Sequence, residues 1–239
     1  MSESKLTPNQ TFYLGMGVTL LVGFGIGFFI LLGEVLTDDG SKPNRANPTV
    51  ITDTGGTGQG AGAGTGEIVL ADVTDEDWIK GNIDARISIV EFSDTECPFC
   101  KRFHTTMNQV MEAYPDDVNW VYRHFPLPSL HRKAQKESEA TECAGELAGN
   151  DGFWAYIDRL FEITPSNDGL DESQLPEIAE YIGLDKNDFE ECLNSGRHGN
   201  KVRKQASDAT LAGGQGTPYS VLIVDGEKFP VSGAVRSEE

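Results

Sequence analysis

Cys97 and Cys100 are separated by Pro98 and Phe99. Two thiols at this spacing can close into a disulfide and open again, so the residue types point to thiol–disulfide exchange. That reaction needs a thiolate, because the thiolate and not the thiol attacks sulfur. It also needs one sulfur to be the better nucleophile, and the flanking sequence supplies a reason. Upstream, Ile87-Ser88-Ile89-Val90-Glu91-Phe92 is an apolar run that reads as a buried strand. Downstream, Phe103, Met107, Val110 and Met111 recur at three- and four-residue steps, so Pro98 to Tyr114 reads as a helix. Cys97 then heads that helix, where unpaired N–H groups and the positive end of the dipole favour a negative sulfur. Cys97 is the expected exposed nucleophile, and Cys100, one turn in, the buried partner. The alternatives are a structural disulfide or half of a zinc site. Zinc takes about four ligands, yet no second Cys-x-x-Cys exists, and His104, His124, His131 and His198 show no ligand spacing. They read as surface or structural residues, and no metal or other cofactor is expected.

The elements that would carry this pair follow a recognisable order. Val118 to Arg123 reads as a second strand, followed by Phe125-Pro126-Leu127-Pro128. A helical block then runs from about residue 131 to 213. Within it Ala140, Cys143, Ala144, Leu147 and Ala148 share one helix face. Phe153, Trp154, Ile157, Leu160 and Phe161 mark a second helix, and Leu175, Ile178, Ala179 and Ile182 a third that Gly183 ends. Asp185 caps a short helix carrying Phe189, Cys192 and Leu193. Tyr219 to Val224 and Lys228 to Val231 form a hairpin around Asp225-Gly226. Strand, helix, strand, helical insertion and hairpin make an α/β, thioredoxin-like plan with a helical subdomain. Cys143 and Cys192 lie on separate helices of the insertion. A disulfide between them is the favoured reading, with two reduced core thiols as the alternative.

The chain of 239 residues has 38 acidic side chains against 19 Lys plus Arg, a formal charge of −19. That balance argues against nucleic acid as a partner, since phosphate neutralisation needs basic patches. After a short tail, residues 1–11, the segment 12–33 carries no charge and is rich in Leu, Phe and Gly. About 20 such residues span a bilayer core, so it reads as one N-terminal transmembrane helix rather than a cleaved signal peptide or a core helix. Residues 34–66 form a Gly- and Thr-rich spacer of the kind that stays flexible. Residues 67–239 make up the folded domain. Oxidised cysteines persist outside the cytosol, which places the N-terminus in the cytoplasm and the catalytic domain beyond a single-pass cell membrane anchor.

Four separated stretches resemble one family in order: Val90-Glu91-Phe92-Ser93-Asp94-Thr95-Glu96-Cys97-Pro98-Phe99-Cys100-Lys101, Arg123-His124-Phe125-Pro126-Leu127, Ala140-Thr141-Glu142-Cys143-Ala144, and Gly216-Thr217-Pro218. The pattern, over about residues 70 to 235, is similar to the DsbA-like thiol–disulfide oxidoreductases, in their membrane-anchored, Gram-positive-type branch. The resemblance implies that Pro218 is a cis-proline facing the dithiol, with Thr217 before it. Together with Pro98 and Phe99 these residues would bind substrate. It also implies that Glu91, at the fold's buried-acid position, exchanges a proton with Cys100. Substrates would be exported proteins with free cysteines, and a membrane redox partner would reoxidise the dithiol. A reductase or isomerase of the same fold, or a thiol metal chaperone, are the competing functions.

The sequence departs from the pattern in two places. The first is Phe99, which stands where the better-known oxidases carry histidine; within the matching stretch, Glu96, expected to be ionised, would oppose a thiolate lying close to it. Both features predict a moderate oxidant. The family also continues past its Gly-Ala pair, here Gly233-Ala234, into a final helix. This chain ends at Glu239, so the expectation is an incomplete sequence or a less covered sheet face.

Overall fold

The computed structural model of the protein describes residues 68–236. Five strands form one sheet in the order β1-β3-β2-β4-β5, with β1 at Trp78–Lys80, β2 at Ile87–Ser93, β3 at Val118–His124, β4 at Tyr219–Val224 and β5 at Glu227–Ser232. Strand β2 pairs parallel to β3, and the remaining pairs are antiparallel. A parallel pair needs a crossover connection, and helix α1, Pro98–Ala113, supplies it. The hairpin β4–β5 turns at Asp225 and Gly226, both at positive φ, as a tight two-residue connection demands. The sheet and helices have the thioredoxin-like arrangement that the order of elements implies.

Alternation along the central strands divides the core. Trp120 and Tyr122 face one side of the sheet, where they pack with Phe103 and Met107 of α1 and with Phe153, Trp154 and Ile157. Val90, Phe92 and Val121 face the other side, with Tyr219, Val221 and Ala209. Ala209 belongs to α5, Gly199–Leu211. Between β3 and β4 the helical insertion comprises α2, Ala134–Ile163, then α3, Gln174–Tyr181, α4, Lys186–Ser195, and α5. Ala148 and Gly149 break α2 into the two helices the sequence separates. Gly149 sits at φ 70°, a left-handed conformation that glycine adopts without a Cβ clash. The insertion has its own apolar centre, including Tyr156, Leu160, Leu175, Ile178 and Phe189.

Strand β1 is absent from the sequence reading. Its three residues are too few to show a period, and tertiary contacts hold it in place. The Arg123 guanidinium forks onto Asp77 at 2.8 and 2.9 Å and also donates to the carbonyls of Ala71 and Asp72. After β5, Ala234 and Val235 pack against the core on the α1 side of the sheet. The expected membrane segment 12–33 and the spacer 34–66 lie outside the described residues. Among the described residues no helix is long and apolar enough to cross a membrane.

Candidate redox-active site

Cys97 is the N-cap of α1, with extended backbone (φ −79°, ψ 121°) and Pro98 opening the helix. Proline fits there because the first helical N–H has no partner to lose. The Cys97 carbonyl accepts the first helical bond, from Lys101 N–H at 3.1 Å. The sulfur occupies the place of an N-cap oxygen, facing the free N–H groups of Phe99 and Cys100. Its pKa falls to about 6: the Cys100 thiol donates to it, burial opposes, and Thr217 and those two backbone N–H groups add to the lowering. Cys100 goes the other way. Burial, the hydrogen bond to Cys97 and the neighbouring negative charges raise its pKa well above the ordinary thiol value. One sulfur is therefore a thiolate at neutral pH and its partner a thiol.

The accessibility of Cys97 corrects the sequence expectation. It retains only 5% of its surface and Cys100 none. Cys97 is the more accessible of the two but is almost covered, because the Thr217–Pro218 turn lies against it. That peptide bond is cis, and the Thr217 carbonyl stands 3.5 Å from the Cys97 sulfur. Phe99 projects outward at 53% exposure, with the Arg102 guanidinium 5.2 Å from its ring centre. A positive group thus stands beside the residue that itself supplies none.

Behind the sulfurs lies a set of buried acids. Glu91 is fully enclosed on β2. It accepts the Trp120 indole N–H at 2.9 Å, so its carboxyl is turned into the core and does not reach solvent. Burial lifts its pKa to about 7, against the opposing Trp120 hydrogen bond. Its charge acts on Cys100, so it lies where a proton for Cys100 is needed. Glu96 is a second correction. Its carboxylate oxygens turn to the loop after α2 and accept the N–H groups of Gly169 at 3.3 Å and Leu170 at 3.4 Å. Glu137 is buried beside it and stays protonated, its pKa pushed to about 9 by burial and by the neighbouring Glu96 and Asp94 carboxyl groups.

Asp94, His131 and Glu137 escaped the sequence reading as site residues. Asp94 accepts Glu96 N–H at 2.9 Å, a turn that the Asp-x-Glu spacing could have signalled. His131 comes 37 residues later, and no local signal links it to the dithiol. Cys143 and Cys192 are joined in a disulfide between α2 and α4, with Cα atoms 5.8 Å apart. Their sulfurs sit in the core of the insertion. His198 approaches them closely enough to suggest a ligand set, but its Nε2 is bonded to Glu146 at 2.8 Å and both sulfurs are committed to the bridge.

Residues 73–238 match the family model described as Thioredoxin, well over half of the chain. Among solved structures, the chain is similar to Pseudomonas aeruginosa DsbA2, at 28% identity and a TM-score of 0.58, covering 67% of this chain and 88% of that one. BdbD from Bacillus subtilis, at 20% identity and TM-score 0.58, covers 68% of this chain and 88% of its own and shares the fold. Among curated relatives, the Na(+)/H(+) antiporter NhaA 3 of Salinispora tropica is 31% identical over 169 residues, 71% of this chain but 24% of that antiporter. The chain spans about a quarter of the length of that relative.

Proposed function

The chain belongs to the thioredoxin family, and on that premise we propose that this thiol–disulfide oxidoreductase works in the oxidising direction on cysteine pairs of exported proteins. The opposed pKa values of Cys97 and Cys100 carry this reading. In the oxidised enzyme a substrate thiolate attacks the Cys97 sulfur, a mixed disulfide forms, and Cys100 leaves as a thiolate. Cys100 is buried, so it must be protonated, and Glu91 with a pKa about 7 is the proton source. A second substrate thiolate then attacks the substrate sulfur of the mixed disulfide and Cys97 leaves. The substrate gains a disulfide, the enzyme gains two electrons as its dithiol, and a disulfide or quinone-type oxidant must restore it.

A low pKa makes Cys97 a good leaving group and stabilises the reduced enzyme. The fall from 9.0 to about 6 corresponds to roughly 4 kcal/mol, or on the order of 90 mV toward a stronger oxidant. It lies between the ~7 of thioredoxin and the ~3.5 of the strongest oxidases. The potential should accordingly fall between ~−270 and ~−120 mV.

The membrane tether belongs to the same proposal. Supporting it are the uncharged segment 12–33, the spacer after it, and a matched relative that is named as an ion antiporter. Carbonate-washed membranes should retain the full chain. Alkylation in growing cells should find Cys97 and Cys100 mostly oxidised. A predominantly reduced pair would move the assignment to a reductase or isomerase, and release of the chain by carbonate would remove the tether.

A further inference from the structure

We propose that His131, held on the Asp94 carboxylate, is a positioning residue for Cys97: it supplies the counter-charge that the Pro98-Phe99 dipeptide lacks. The inference rests on the oxidoreductase reading of the dithiol. Asp94 is the hub of the turn that presents both sulfurs. Its backbone carbonyl accepts Cys97 N–H at 3.1 Å, and its backbone N–H donates to the Cys100 sulfur at 3.4 Å. Its carboxylate accepts Glu96 N–H at 2.9 Å and Leu127 N–H at 2.8 Å. The carboxylate therefore ties the active-site turn to the segment after β3. Its side chain is fully buried.

That arrangement creates an electrostatic problem for Cys97. A buried carboxylate in the adjoining turn disfavours a second negative charge, and low dielectric strengthens the repulsion. His131 Nδ1 meets the same carboxylate oxygen at 3.0 Å, with its own side chain only 7% exposed. An imidazolium there cancels the Asp94 charge and leaves the helix terminus to act on the sulfur. Burial works against that charge, but the Asp94 hydrogen bond and charge, then Cys97 and Asp168, more than offset it and raise the His131 pKa. Interaction between two titrating groups is reciprocal, so an imidazolium that gains from the Cys97 thiolate also favours it. Asp168 is itself engaged by Lys133 N–H and by Arg132, which leaves Asp94 as the direct partner of His131.

The test uses the full chain with His131→Gln, Asp94→Asn and the double substitution. Ultraviolet thiolate absorbance against pH gives the Cys97 pKa, and equilibration with glutathione gives the redox constant. His131→Gln should raise the Cys97 pKa by about one unit and move the glutathione equilibrium about tenfold toward the disulfide form. The difference should be largest above the Cys97 pKa of about 6 and below the raised His131 pKa. It should vanish toward about pH 5, where both proteins carry the thiol, and shrink again at higher pH as the imidazolium charge is lost. The double variant, with both charges gone, should return to within about threefold of the wild type. A folded His131→Gln protein with unchanged Cys97 titration and glutathione equilibrium overturns the proposal. If that variant does not fold, the wild-type protein decides: the His131 ring titration followed by NMR should lie at higher pH in the reduced protein than in the oxidised one, and the same His131 pKa in both redox states overturns the proposal. A wild-type chain that never exchanges with glutathione would instead reject the oxidoreductase reading.

Discussion

Trp120 donates its indole N–H to Glu91 at 2.9 Å, joining the two central strands through a pair that carries no net charge when Glu91 is protonated. The bond fixes the carboxyl beneath the dithiol and leaves its other oxygen without a partner among the described residues. A buried acid held by one neutral donor is costly to ionise, which explains a pKa about 7.

Glu91→Gln separates the proton-transfer role of that group from its cost to the fold. Dithiol oxidation by the oxidised enzyme should slow by on the order of tenfold to a hundredfold and lose its inflection near neutrality. Stability moves the other way. The folded-state pKa is raised, so wild type loses stability as pH climbs from about 4.5 through about 7. At pH 8 the variant should be more stable by about 3 kcal/mol, and at pH 4 equal. Stopped-flow exchange and denaturant melts at the two pH values measure both effects.

Cys100→Ser should accumulate mixed disulfides on Cys97, whereas Cys97→Ser should not. The thiolate sits on Cys97 and the fully enclosed thiol on Cys100. Iodoacetamide should label Cys97 first in the reduced protein, with a rate midpoint near its pKa of about 6. Faster labelling of Cys100 reverses the assignment.

Phe99→His should lower the Cys97 pKa and raise the reduction potential together, by ~30 mV per pKa unit. Arg102 already lies against the Phe99 ring, so Arg102→Ala should shift both quantities the opposite way by a smaller amount. A histidine variant with an unchanged potential would show that the dipeptide position does not govern this thiolate.

Acid should unfold the protein partly through Glu142. Burial raises its pKa, but His124 and Lys201 pull it down to about 2, and the Trp78 indole also donates to it. The folded-state pKa is depressed, so its contribution is complete above about pH 4.5 and is lost as pH falls toward about 2. Glu142→Gln should cost roughly 3 kcal/mol at pH 7 and almost nothing at pH 2. Equal losses at both values would mean the effect is packing rather than charge.

The Cys143–Cys192 bridge closes a sequence separation of 49 residues within the insertion. In the chain-entropy account, replacing both with alanine should destabilise the protein by about 4 kcal/mol. The Cys97 titration should not change, because the bridge packs in a different apolar cluster from the dithiol. Mass spectrometry of non-reduced peptides should link the two cysteines.

Local information determined most of what the sequence could reveal here. The apolar run of β2, the three- and four-residue steps of α1 and the Cys-x-x-Cys between them are near-neighbour patterns, legible without a fold. Asp185 as a cap and Asp225-Gly226 as a turn are local chemistry too, and the structure places both as read. Tertiary structure alone decided the rest. The three-residue β1 exists because Arg123 gathers the preceding segment. Cys97 is covered because a turn 120 residues away closes over its sulfur. Glu96 faces the loop after α2, and His131 meets Asp94 across 37 residues. The charge state of a buried group depends on what packs around it in three dimensions. Sequence spacing therefore identified the dithiol, while its electrostatic surroundings emerged only once distant segments were folded against it.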